Sequence, residues 1–174
     1  MEAFLRANDI IDIVSDDDHE DLSEGIIPES LWEAVRYFIV ASAIKCKRAT
    51  KTKEHYSDMI IHAFREVSQH SSIYTSICNY ISSMKDSFEY EDDDMKMYLS
   101  EFKKCYQLYV SADIRMTIPF DSLVDDIGTV VKKTKVILQN GIGKTTQGNE
   151  KLKWHKIYIG GDLLQRGLTF SNLI

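Results

Sequence analysis

An α/β fold, with a largely parallel sheet covered by helices in three layers, is what the sequence predicts, and three observations predict it. Short Ile- and Val-rich runs alternate with longer segments of helical period. The run at 58–64 is apolar on both faces, as a central parallel strand is. The first strong helix is apolar almost all round, which marks a buried one.

The elements follow in chain order. Ile10-Ile11-Asp12-Ile13-Val14 reads as a short strand running into an acidic segment, Asp16-Asp17-Asp18-His19-Glu20-Asp21. Residues 1–27 therefore stand apart from a main domain over 28–174. Dense like charge predicts an exposed loop over 15–25, and the loop lacks the spaced oxygens and turn glycine of an EF-hand. A helix then begins after Pro28, with Ser30 as N-cap and Glu33 completing an S-x-x-E capping box. Leu31, Trp32, Val35, Phe38, Ile39, Ala43 and Cys46 carry its stripe, and Lys45, Lys47 and Arg48 suit its negative end.

A loop over 49–56 leads into the strand Asp58–Phe64. Two helices follow, over 71–88 through Ile73, Ile77, Ile81, Met84 and Phe88, and over 92–111 through Met95, Tyr98, Leu99, Phe102 and Cys105. They read as a helical insertion, with Asp92, Asp93 and Asp94 at the positive end of the second. Pro119 opens a further helix carrying Phe120, Leu123, Ile127, Val130 and Val131. Strands over 135–140 and 154–159, separated by a loop over 141–152, close the pattern.

At 174 residues the chain fits one domain with an ordinary core. No apolar run approaches the ~20 residues of a membrane helix, and the N-terminus lacks a signal-peptide layout, so a cytoplasmic protein without membrane contact is expected. Cys46, Cys78 and Cys105 lie far apart in predicted helices and read as core thiols. The histidines are equally dispersed, and no metal site is predicted. A net charge of −6 excludes a protein that coats nucleic acid all over. The distribution is uneven, however: Lys132 to Lys156 contains seven lysines and the single acid Glu150, a segment able to meet phosphates or simply to stay solvated.

Two motifs tempt and fail. Gly141-Ile142-Gly143-Lys144-Thr145-Thr146 follows a strand, but a phosphate loop needs glycine where Leu138 stands and a helix afterwards, which Gln147–Lys151 does not provide. Asp94-Met95-Lys96 has the D-x-K spacing of metal nucleases, but at a helix start and without a second acidic strand end.

The richest stretch is Lys156-Ile157-Tyr158-Ile159-Gly160-Gly161-Asp162-Leu163-Leu164-Gln165-Arg166-Gly167-Leu168-Thr169. A buried strand ends in two glycines, which permit tight turning and close ligand approach. Asp162 and Arg166 follow four apart, then Gly167. This segment resembles the D-x-x-x-R-G-L motif of superfamily-two helicases, which lies in their second RecA-like domain and touches nucleic acid and the ATP site. With Asp58-Met59-Ile60-Ile61-His62-Ala63-Phe64-Arg65 and the helix opening Pro28–Val35, it more closely resembles the Z1 domain. That family carries an endonuclease designation and is often joined to a helicase-like ATPase domain.

The resemblance spans most of residues 10–174. It implies a partial RecA-like domain, the C-terminal kind of P-loop helicases, with a helical insertion. It also implies that His62, Arg65, Gly160, Gly161, Asp162, Arg166 and Gly167 contact nucleic acid or phosphate, with Arg166 on the phosphate and Asp162 orienting it. DNA and an upstream ATPase domain are the implied partners. Thr169 stands where helicases carry Asp, and Gly161 where they carry Thr. No Walker A loop precedes the segment, and the arginine-bearing motif expected after it does not follow before Ile174. The polypeptide therefore reads as a domain fragment truncated at its C-terminus, without cofactor and inactive alone; ATP and magnesium belong to the full-length protein the resemblance implies. The rival expectation is a non-catalytic protein-interaction module, favoured by the acidic N-terminal loop and the negative net charge.

Overall fold

The structure, a computed structural model, describes residues 26–49, 55–62, 67–112, 117–139, 154–161 and 174. The expected strand at 10–14, the acidic loop, and the loop over 141–152 with its lysine-containing motif lie outside the described residues.

Helix α1 spans Glu29–Arg48, and its all-round apolar sequence is buried on nearly all sides, from Leu31 through Val35, Phe38, Ile39, Val40, Ala43 and Ile44. The expected capping box does not form. Pro28, extended at φ −68° and ψ 153°, occupies the N-cap, and its carbonyl accepts from Leu31 N at 3.1 Å. Ser30 thus already lies inside the first turn, where its hydroxyl cannot serve as the cap.

Strand β1 is Asp58–Ile61, shorter than the 58–64 expected, with His62 already outside it. Helices α2 (Val67–Tyr90) and α3 (Asp93–Ala112) confirm the two long periodic segments. The connection is only Glu91 and Asp92. Glu91 adopts φ 51°, the left-handed value that ends many helices and costs a residue with a Cβ on the order of 1 kcal/mol. Asp92 starts α3 by accepting from Met95 N at 3.1 Å, a side-chain cap. After Pro119 comes a single 3-10 turn, Phe120–Leu123, then helix α4, Val124–Lys132, which buries Ile127, Val130 and Val131.

Among the described residues, strands β2 (Thr134–Gln139) and β3 (His155–Gly160) join β1 in a three-stranded, wholly parallel sheet in the order β1-β3-β2. Among the described strands β3 is the middle one, and on β1 the Asp58 carbonyl also accepts from Ile174 N at 3.2 Å. Among the described residues β1 pairs with β3 alone.

Strand alternation then divides the sheet into two faces. Ile157 and Ile159 are fully buried and join the helices in one apolar core, with Met59, Val136 and Leu138 packed against it. Helix α2 lies on this face against β2 and β3, and α4 packs on α2 and α1. On the opposite face Ile60, Tyr158 and Ile137 form a row across the three strands, half-buried and outside that core. The described residues therefore build two layers; the third layer expected from the sequence is not among them. No helix of the described residues is long and apolar enough to cross a membrane.

The cysteines lie in helices as expected and are free, Cys105 buried and Cys46 and Cys78 half-buried. Burial pushes the Cys105 and Cys46 thiols above their ordinary range. Arg36 fastens three helices. Its guanidinium donates to Tyr80 OH of α2 at 3.2 Å, pairs with Glu29 of α1, and reaches Glu101 of α3 at 4.0 Å. Burial opposes its charge, but the bonds to Tyr80 and Glu29 outweigh burial and hold it protonated.

Candidate functional site

In parallel α/β sheets, ligands bind outside the carboxyl ends of the strands, where chain direction and loop geometry open a crevice. The register decides which residues share that rim. Ile61 of β1 faces Ile159 of β3, and Gln139 of β2 faces Gly160. His62, one residue beyond Ile61, thus leaves β1 beside Gly160, and three adjacent strands deliver His62, Gly160 and Gln139 to one edge. Gly160 and Gly161 are buried there, and His62 is half-buried.

Of the residues singled out in the sequence, His62, Gly160 and Gly161 are brought together at this rim. Arg65, Asp162, Arg166 and Gly167 lie outside the described residues. Gln139 was not singled out, although its amide can both donate and accept and is 9 % exposed. Its signal is invisible without the strand register, because only the pairing with Gly160 brings it to the rim.

Chemically, a strand ending in two glycines presents backbone N–H groups without side chains in the way. Such a turn can approach an anionic oxygen closely.

The opposite rim, at the amino ends of the strands, gathers three groups with shifted pKa values. His155, 2 % exposed, has its pKa lowered to about 4, first by burial and then by the nearby Lys45 and Lys133 charges. The Tyr56 ring meets it edge-on at 5.6 Å. Asp58 is buried beside Lys156, its partner in the register, and Lys45; burial raises its pKa against the pull of both lysines. Lys45 donates to Tyr56 O at 3.0 Å, and burial lowers its pKa in turn. A groove of about 340 Å³ opens at this same rim between α2 and β2.

The D-x-K spacing at 94–96 resolves into helix capping, with Lys96 paired to Asp93 at 2.8 Å on an exposed surface. Among the described residues no group of His, Cys, Asp or Glu could hold a metal ion. Part of the lysine-rich segment is already engaged: Lys132 pairs with Glu89 at 2.6 Å.

With this geometry in place, a family model described as the Z1 domain matches residues 30–174. No curated protein and no solved structure matches the chain.

Proposed function

The chain belongs to the Z1 domain family, and from that premise we propose that it supplies the phosphate-contacting edge of a DNA-acting, helicase-like ATPase or endonuclease. In this reading the segment from Gly160 to Gly167 closes on the nucleic-acid or nucleotide phosphate. Gly160, Gly161 and Gly167 allow close backbone approach, Arg166 contacts the phosphate, and Asp162 orients the guanidinium. His62 and Arg65 approach from the neighbouring strand end. ATP and magnesium are the cofactors of the full assembly, and an ATPase domain is its partner.

One observation carries the reading. The parallel register sets the end of β1, with His62, beside the Gly160-Gly161 end of β3, so both halves of the candidate site leave the sheet at one rim. Two further features favour it: the family match runs through the whole Gly-Gly-Asp-Leu-Leu-Gln-Arg-Gly segment, and anions suit a glycine-terminated strand end.

DNA binding titrated against salt tests it. Loss of one phosphate contact in Arg166→Ala lowers the slope of log affinity against log salt by about 1 and weakens binding about tenfold at low salt. An unchanged slope and affinity in that variant would discard the assignment. The second reading, an interaction module without catalysis, is favoured by the net charge of −6 and the half-buried Ile60–Tyr158–Ile137 row. Under that reading, the chain shows no salt-dependent DNA binding.

A further inference from the structure

The lysine-rich stretch from Lys132 to Lys156 is a feature of the sequence that the glycine rim does not use. The fold sorts its described lysines into two kinds. Lys132 is matched by Glu89 at 2.6 Å, and Lys133 is half-buried just before β2, where its charge depresses the His155 pKa. Lys135 and Lys156 stand apart from these. They come from opposite ends of the stretch, yet the β2–β3 register makes them direct neighbours.

Strand alternation fixes the face on which this pair lies. Val136, Leu138 and Ile157 pack with the helices, so Lys135 and Lys156 belong to the opposite face of the sheet. Neighbouring strands run about 4.8 Å apart, a separation that two lysine side chains can close on one oxyanion. Asp58, the register partner of Lys156 on its other side, completes the row. Being buried, it balances Lys156 and leaves Lys135 unmatched.

Lys135 is exposed, and its ammonium makes no hydrogen bond or ion pair among the described residues. Other lysines at this end of the sheet are engaged. Lys47 pairs with Asp126 at 3.2 Å, and Lys45 and Lys85 donate to the carbonyls of Tyr56 and Thr134. Like charges side by side on a sheet face repel, and an anion held between them reverses the sign of that interaction. The row also has a fixed relation to the glycine turn. Lys156 and Gly160 share one face of β3, separated by about 13 Å of strand. At 3.4 Å per nucleotide along one strand of duplex DNA, that distance corresponds to about four nucleotides.

We propose that Lys135 and Lys156 together clamp one backbone phosphate of nucleic acid, a second contact on the same face of β3 as Gly160. That the anion is nucleic acid rests on the DNA-acting reading above; that the row takes an anion rests on the register alone. A polyanion suits two solvated ammonium groups better than a lone phosphate does, because release of its condensed counterions adds to the binding.

The experiment measures binding of a short fluorescent DNA duplex to the whole chain over a salt series, with poly-glutamate as the protein polyanion. Lys135→Met is expected to lower the slope of log affinity against log salt by about 1 and to weaken binding about tenfold at low salt. Lys135→Arg is expected to keep both. Lys104→Met, the same change of charge on the exposed side of α3, is expected to leave both unaltered. Lys135 is the decisive position, because Lys156→Met would also strip the buried Asp58 of its neighbour. Binding by Lys135→Met equal to that of the native chain, or an equal loss in Lys104→Met, would overturn the proposal. So would poly-glutamate that binds as tightly as DNA and loses as much in Lys135→Met, since the row would then be a site for acidic protein. A loss in Lys135→Met with Arg166→Ala unchanged keeps this row and removes the glycine-rim contact, and the opposite pattern does the reverse. No DNA binding by the native chain removes both.

Discussion

His155 opens the central strand with a neutral imidazole in a place that tolerates no charge. It is fully enclosed, its Nδ1 has no hydrogen-bond partner among the described residues, and Lys45 and Lys133 add repulsion. The unfolded chain protonates this ring near pH 6.5, the folded one only near 4. Folding therefore favours the neutral form, and the stability it confers is complete above about pH 6.5 and lost as pH falls towards 4. The shift corresponds to on the order of 3 kcal/mol. Chemical denaturation of wild type and His155→Gln across pH 4–8 checks this. The difference between them is expected to shrink by that order on acidification, and parallel curves would contradict it. Arg36 represents the reverse strategy. There the charge is buried but bonded to Tyr80 and Glu29, so removing a partner would strand it, a more costly change than removing the whole cluster.

Helix starts separate what could be read along the chain from what could not. The long helices were legible because their apolar stripes outweigh any single residue: α1, α2 and α3 lie within a few residues of their expected spans. The cap of α1 was misread because Pro28 shifts the helix start two residues upstream of the expected box, whereas the Asp92 cap of α3 is real. Asp92→Ala is accordingly expected to cost about 1 kcal/mol, and Glu33→Ala to leave stability within about 0.5 kcal/mol. Urea unfolding of both variants distinguishes them, and equal losses would refute the contrast. For strands the limit was different. Their existence was legible from Ile-rich runs, but the order β1-β3-β2 of the described strands was not, because sheet order depends on pairings that local sequence does not encode. The same gap hid Gln139, which reaches the glycine rim only through its register with Gly160. Arg65, Asp162, Arg166 and Gly167 rest on sequence resemblance and chemistry alone.

One apolar core links every described helix to the helix-facing side of the sheet, from Leu31 near the start to Ile159 near the glycine turn. Such continuity predicts a single cooperative unfolding step for this part of the molecule. Trp32 in α1 and Trp154 before β3 report on opposite regions, so the single-tryptophan variants Trp154→Phe and Trp32→Phe test it. Their fluorescence transitions are expected to coincide with loss of helical circular dichroism, and separated midpoints would show two independent units. The sheet order has a further consequence during biosynthesis. Among the described strands residue 58 must wait for residue 156 before it has a neighbour, whereas α2 and α3 meet across a two-residue turn. As the nascent chain leaves the ribosome, the helical hairpin can assemble early, whereas β1 meets its described partner only after β3 has been translated. The rim that holds His62 therefore comes into being only after Gly160 has been added.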